Sequence, residues 1–439
     1  TVTLWNEYGT VALTAAGLSR DGAATGLVRG DRLGVDGATG STSFAKLVLT
    51  DAASVEGIGT TTANTTTGQT TTTNLKVVPW LLADNSRSGT GSTFATYDTG
   101  VGLRPLRTGE MVTFAGKTAA DQNIKDTGTS LTVNTAETMN SLVLAPTGTA
   151  TLTGGGTGSL AVTSGGLALV TGQTATLSGF TGLTLGNGAS KEAVILVTSG
   201  TLAINSPING GLDYGLTKGG GGTLTLGSAN SFTGALVTNA GTLNLRAAST
   251  QSGTTINGGT LSLNNTSVGA LGGSGADVVI QSGAILSLDN SSTTDAIALG
   301  GGDFLLNDGG AIYLYGGGGT RTVFLNKVYV TANGYIRQDS GGGSGNKTLI
   351  DEIDMAAGAM LTTLRSNSST NGFGTDTITL HGDATLNVLA NNPDAAHATN
   401  VAKITGTGDV TKLGNGELWL AYSGYNNAYS TGAASDYIG

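Results

Sequence analysis

A short phrase of apolar and polar positions returns along the chain: a Gly, a small residue, then apolar–polar–apolar. It stands as Gly200-Thr201-Leu202-Ala203-Ile204 and Gly222-Thr223-Leu224-Thr225-Leu226, then as Gly241-Thr242-Leu243-Asn244-Leu245 and Gly259-Thr260-Leu261-Ser262-Leu263. Alternation over four or five residues predicts a strand with one buried face, and the Gly before it supplies a corner where positive φ is cheap. Leu202, Leu224, Leu243 and Leu261 recur at intervals of about 20 residues, with further brief strands such as Thr254-Thr255-Ile256 between them and no helix-length segment. Periods of this size point to solenoids, propellers or arrays. A propeller blade needs about 40 residues and aromatic signatures. The pattern fits an all-β fold, a parallel β-helix whose coils of about 20 residues stack and bury their Leu, Val and Ile.

The regularity is uneven. Alternating phrases are dense from Leu142 to Leu420, whereas the first part carries the Thr-rich stretch from Thr60 to Asn74, which reads as a Thr ladder or an exposed loop. Pro, Trp and Arg then cluster around Pro79, Trp80 and Arg104. Residues 1–115 therefore read as an irregular β region, early coils plus an excursion at about 75–115, and residues 116–439 as a continuous β-solenoid. A separate N-terminal domain is the alternative.

Composition narrows the class. Of 439 residues 74 are Gly and only 5 are Pro; charged residues are 11% and apolar ones 38%. A disordered chain is normally rich in charge and Pro, so this one is expected to be ordered. The net charge of −9, with 20 Lys and Arg spread along the whole length, leaves no basic stripe for nucleic acid. There is no Cys, which removes thiolate metal sites and Cys nucleophiles. No run approaches the roughly 18 apolar residues of a membrane helix. The chain opens at Thr1 without an initiator Met and reads as a processed or partial piece of a longer protein.

One stretch is more specific. Leu216-Thr217-Lys218-Gly219-Gly220-Gly221-Gly222-Thr223-Leu224-Thr225-Leu226 is followed by Ser228-Ala229-Asn230-Ser231-Phe232-Thr233-Gly234 and Asn239-Ala240-Gly241-Thr242-Leu243. A second copy begins at Val410-Thr411-Lys412-Leu413-Gly414-Asn415-Gly416-Glu417-Leu418-Trp419-Leu420 and departs from the pattern after Asn426. These resemble the autotransporter-associated β-strand repeat of bacterial surface proteins. The resemblance implies a right-handed parallel β-helix of passenger type, secreted or displayed on the surface of a Gram-negative-type bacterium.

Parallel β-helices also include polysaccharide-cleaving enzymes, whose sites gather Asp or Glu with Arg, Lys or His. Asp351, Glu352 and Asp354 form the densest acidic group and read as solvated charges at a turn; Asp303 and Asp308 read as corner residues. His381 and His397, the two histidines, stand in no metal-ligand spacing. Gly272-Gly273-Ser274-Gly275-Ala276-Asp277 matches one calcium nonapeptide, but such a site needs stacked copies, so Asp277 is a weak calcium candidate. Gly341 to Thr348 lacks a Gly that a phosphate-binding loop requires, and no helix follows.

These readings give no catalytic residue, no cofactor and no metal. The aromatics Trp419, Tyr422, Tyr425 and Tyr429 are interface candidates, and Tyr313, Tyr315, Tyr329 and Tyr335 are placed for an outer-face stripe. The expectation is a non-enzymatic extracellular structural protein, a stalk, fibre or coat that associates with itself. A glycan- or cell-binding adhesin is the alternative and a polysaccharide lyase a more distant one. The partners implied are further copies of the chain and surface glycans, with neither nucleic acid nor a membrane-spanning segment.

Overall fold

The structure, a computed structural model, describes residues 1–5, 9–34, 44–52, 55, 72–186, 192–209, 215–264, 267, 269–273, 275–290, 299–316, 321–324, 326–340, 347–365, 373–390 and 398–420. Among these the chain is β throughout, a parallel β-solenoid, with two three-residue 3₁₀ turns at Thr108–Glu110 and Phe114–Gly116. It divides into two compact units, Thr1–Gly234 with Asn239–Gly241, and Ala235–Thr238 with Thr242–Gly439. Among the described residues no helix is long and apolar enough to cross a membrane.

In the first unit each coil contributes a strand to a first sheet and then one to a second. The first runs through Asn123–Asp126, Ser141–Leu144, Gly166–Leu169, Ala193–Val197 and Leu216–Gly219; the second through Ser130–Val133, Ala150–Gly154, Thr174–Ser178, Thr201–Asn205 and Thr223–Leu226. A short third sheet of Ala136–Met139, Ser159–Val162 and Leu183–Leu185 closes the coil. All pairing here is parallel, so like positions stack into inward columns. One column is Leu131, Leu152, Leu177, Ile204 and Leu226. These steps are 21, 25, 27 and 22 residues, longer than the 20 that the Leu spacing predicts, because coils add loops or the third segment without disturbing the register.

The N-terminal part departs from this regularity. Val2–Leu4, Gly26–Gly30 and Val78–Asp84 pair in parallel, but Thr93–Asp98 and Gly102–Pro105 continue the sheet antiparallel. Trp80 and Phe94 share one apolar cluster with Val143, Ala168, Val194 and Leu196 of the first solenoid sheet. That contact explains why Ser141–Leu144, Gly166–Leu169 and Ala193–Val197 are buried on both faces, while the second sheet alternates. Close packing requires Gly at 166, where a Cβ would stand 2.9 Å from Phe94 Cζ. Within this region Arg104 and Glu110 are both buried and meet through two hydrogen bonds, of 2.6 and 2.7 Å.

The second unit repeats the plan with eight strands in its second sheet, from Thr242–Leu245 to Val410–Leu413. Its inward columns are Ile256, Ile280, Leu306, Val330, Met355 and Leu380 in one sheet, and Leu243, Leu261, Leu286, Ile312, Ile336, Thr363 and Val388 in the other. Stacked aliphatic columns are the hydrophobic core of such a coil; each residue buried in this way is stabilising by roughly 1.5–3 kcal/mol relative to exposure.

Candidate functional site

Inward positions are mostly aliphatic from coil to coil, and the coils differ most on the outside. In the second sheet of the first unit the outward positions are small and hydroxylated, such as Thr176, Thr201, Thr223 and Thr225. The second unit begins in the same way with Thr242, Asn244, Thr260 and Ser262. From Ile285 onward the same positions change character. Ser287 is followed in register by Tyr313, Arg337, Leu364 and Leu389, and Ile285 by Ala311, Tyr335, Thr362 and Asn387. Tyr315 stands in a third column after Asp289.

These side chains are ordered against one another. The Tyr335 ring meets Tyr313 edge-on with centroids 6.3 Å apart. The Arg337 guanidinium carbon lies 5.3 Å from the centroid of the same Tyr313 ring, a distance at which the ring quadrupole attracts the cation. Tyr313, Tyr315, Tyr335 and Arg337 are each half-buried, so the face is partly packed and still meets solvent. Such a surface suits binding by stacking and by guanidinium hydrogen bonds.

A second cluster lies on the other sheet of the same unit. Glu352 and Asp354 stand inside strand Lys347–Met355, not at a turn, and point toward Lys327 of the preceding coil. The Lys327 Nζ is 3.0 Å from Glu352 Oε1 and 3.3 Å from Asp354 Oδ2, and His381 Nε2 is 3.4 Å from the same Asp354 oxygen. Desolvation opposes the Lys327 charge, but the hydrogen bonds it donates to Glu352 and Asp354 outweigh that and hold the ammonium above its ordinary range. Tyr329 lies beside this ammonium, on a different sheet from the other three tyrosines of the expected stripe. Cross-strand charge pairing explains the cluster without a reaction.

The Thr-Lys-Gly repeat has a structural role that sequence reasoning missed. Lys218 continues the inward column of Ile124, Leu142, Leu167 and Ile195, where a fifth aliphatic residue would be expected. It is fully buried, and Nζ donates to the carbonyls of Gly220, Gly222 (2.7 Å) and Ala240. Burial pushes its pKa down from 10.5 to about 8. Gly241 makes room for the ammonium, since a Cβ there would stand 2.4 Å from Nζ. In the second copy Lys412 is exposed and keeps the bond to the carbonyl two residues on, Gly414 O at 2.8 Å.

Of the interface candidates, Trp419 is 47% exposed in strand Glu417–Leu420, and its Nε1 donates to Glu417 Oε2 at 2.8 Å. Tyr422, Tyr425 and Tyr429 lie outside the described residues, as do His397 and most of the Thr-rich stretch. The weak calcium candidate Asp277 is exposed, and its Oδ1 accepts from the Asp303 amide of the next coil at 3.0 Å. Asp383 makes the same bond to Asp409 at 2.9 Å, which identifies the arrangement as a corner device. Among the described residues no group of three His, Asp or Glu is placed to hold a metal ion. Arg337 and its stacking on Tyr313 were not legible in sequence, because they depend on the register between coils.

Comparison with known proteins agrees with the repeat. The chain is similar to a protein named Adhesin BmaC autotransporter, of Brucella suis biovar 1 (strain 1330), with 28% identity over 276 residues. The match covers 54% of this chain and 7% of that protein, so the similarity concerns a small part of a much longer relative. No protein-family model matches the chain, and no solved structure matches it.

Proposed function

We propose that this chain is a stretch of the passenger of a bacterial surface adhesin, a non-enzymatic β-solenoid displayed outside a Gram-negative-type cell. The observation that carries the reading is the change of the outward columns. Among outward Thr, Ser and Asn, these coils add Tyr313, Tyr335, Arg337, Leu364 and Leu389. Cross-strand rings contribute a little to the scaffold, and interaction surfaces concentrate Tyr and Arg. The similarity to an adhesin autotransporter supports the same reading. The solenoid carries the face, and the face makes the contact. Antibodies against the chain should label intact, unpermeabilised cells of the source bacterium; labelling that requires permeabilisation would defeat the proposal.

Self-association is a second reading, favoured by one observation. The parallel ladder of the solenoid is a pairing that a strand of a further copy could extend. Native material seen by electron microscopy as periodic fibres would support this reading, and isolated particles at high concentration would exclude it.

A further inference from the structure

We infer that the outward Tyr313–Tyr335–Arg337 face takes a carbohydrate chain, a linear run of pyranose rings; this rests on the adhesin reading and names the occupant of its contact face. Size decides against a second copy of the chain. The altered columns span five strands, from Ile285–Asn290 to Ala384–Ala390. At about 4.8 Å between strands and about 7 Å between outward positions, the face measures on the order of 400 Å². A stable protein–protein interface covers about 800 Å² on each partner, so this face is half the size a dimer needs. It does match a ligand a few sugar rings long.

The chemistry agrees. One face of a pyranose ring presents C–H groups, which pack on an aromatic ring, while its edge presents hydroxyls. The half-buried Tyr335 supplies ring surface beside the small Ala311, with which it is in register. Arg337, held over Tyr313, presents a planar guanidinium whose N–H groups suit hydroxyl oxygens. Ser287, Thr362 and Asn387 continue the same columns half-exposed, the Asn387 amide donating to Thr362 Oγ1 at 3.2 Å. Strand spacing of about 4.8 Å is close to the length of one sugar ring, so neighbouring coils can meet neighbouring rings with different side chains.

The test is saturation-transfer NMR on the full chain with cellohexaose and chitohexaose as probes, compared across variants. Ring protons of at least one probe should receive saturation. Affinity should fall at least tenfold in Tyr335→Ala and in Arg337→Ala, persist in Tyr335→Phe, and be unchanged in Thr201→Ala. Unaltered circular dichroism and melting of each variant separate lost contact from lost fold. Absence of transfer to both probes overturns the inference, as does transfer of equal strength in Tyr335→Ala. If both probes fail while the same substitutions still abolish adhesion to cells, the occupant is not a sugar and the adhesin reading stands. If adhesion is also indifferent to them, both fall.

Discussion

Tyr335 meets Tyr313 edge-on across neighbouring coils, with ring centroids 6.3 Å apart and planes at 71°. The two residues are 22 positions apart in the chain and touch because their strands are in parallel register, Ala311 opposite Tyr335 and Tyr313 opposite Arg337. Each lies on the solvent side of a strand whose other side is core. Replacing either with Ser should therefore leave the fold intact, with a change within about 0.5 kcal/mol to 1 kcal/mol in unfolding experiments. A loss of several kcal/mol would mean that the ring is part of the core.

Lys218 is the opposite case, a charge placed in a core column. Lys218→Met leaves three carbonyls without their donor and should cost about 1–3 kcal/mol, measured by chemical unfolding. The pH dependence has a definite sign. The folded chain releases this proton near 8 and the unfolded chain near 10.5. Below 8 both states carry the proton and the folded state bears the full desolvation cost. Between the two values the unfolded state binds more protons, so stability rises with pH by at most about 3 kcal/mol. Wild-type stability should therefore climb relative to Lys218→Met as pH passes from below 8 to above 10.5. A difference that stays flat would place the ammonium in a hydrated site.

Gly166 tests the packing of the antiparallel segment on the solenoid. Gly166→Ala brings a Cβ to 2.9 Å from the Phe94 ring and should destabilise the first unit by about 1–3 kcal/mol through overpacking. Phe94→Leu in the same chain should recover part of the loss, as read by thermal unfolding. Full additivity of the two changes would show that they do not touch.

Arg104 is buried between two buried carboxylates, Glu110 at 2.6 Å and Asp98 at 3.8 Å, and removing the guanidinium strands both. Arg104→Met should cost about 3–5 kcal/mol, while the double change Arg104→Met with Glu110→Gln should cost clearly less. Hydrogen exchange of the Thr93–Asp98 and Gly102–Pro105 strands would show where the loss falls.

How much of this was legible follows from the residues themselves. The Gly-Thr-Leu phrases gave the inward columns directly: Leu202 does stack on Leu224, and Leu243 on Leu261. Alternation is a local signal and needs no partner strand. The site was less legible because coil length varies. Tyr313 pairs with Arg337 after 24 residues, and Tyr335 with Thr362 after 27, so no fixed period reveals which outward residues meet. Lys218 was hidden for another reason. A lysine in an alternating phrase reads as solvent-facing, and only the three carbonyls of its corner make the inward position affordable. The acidic group at Glu352 and Asp354 looked like a turn because its partner, Lys327, belongs to the coil before it.

The central claim is that the outward tyrosine–arginine face makes the adhesive contact, and bead adhesion under flow tests it most directly. Beads coated with the wild-type chain should hold to a glycan-bearing cell layer, and beads carrying Tyr313→Ser, Tyr335→Ser and Arg337→Ser together should detach like uncoated ones. Beads carrying Thr201→Ala and Thr223→Ala should behave as wild type. Equal retention of the wild-type and triple-variant beads would contradict the claim.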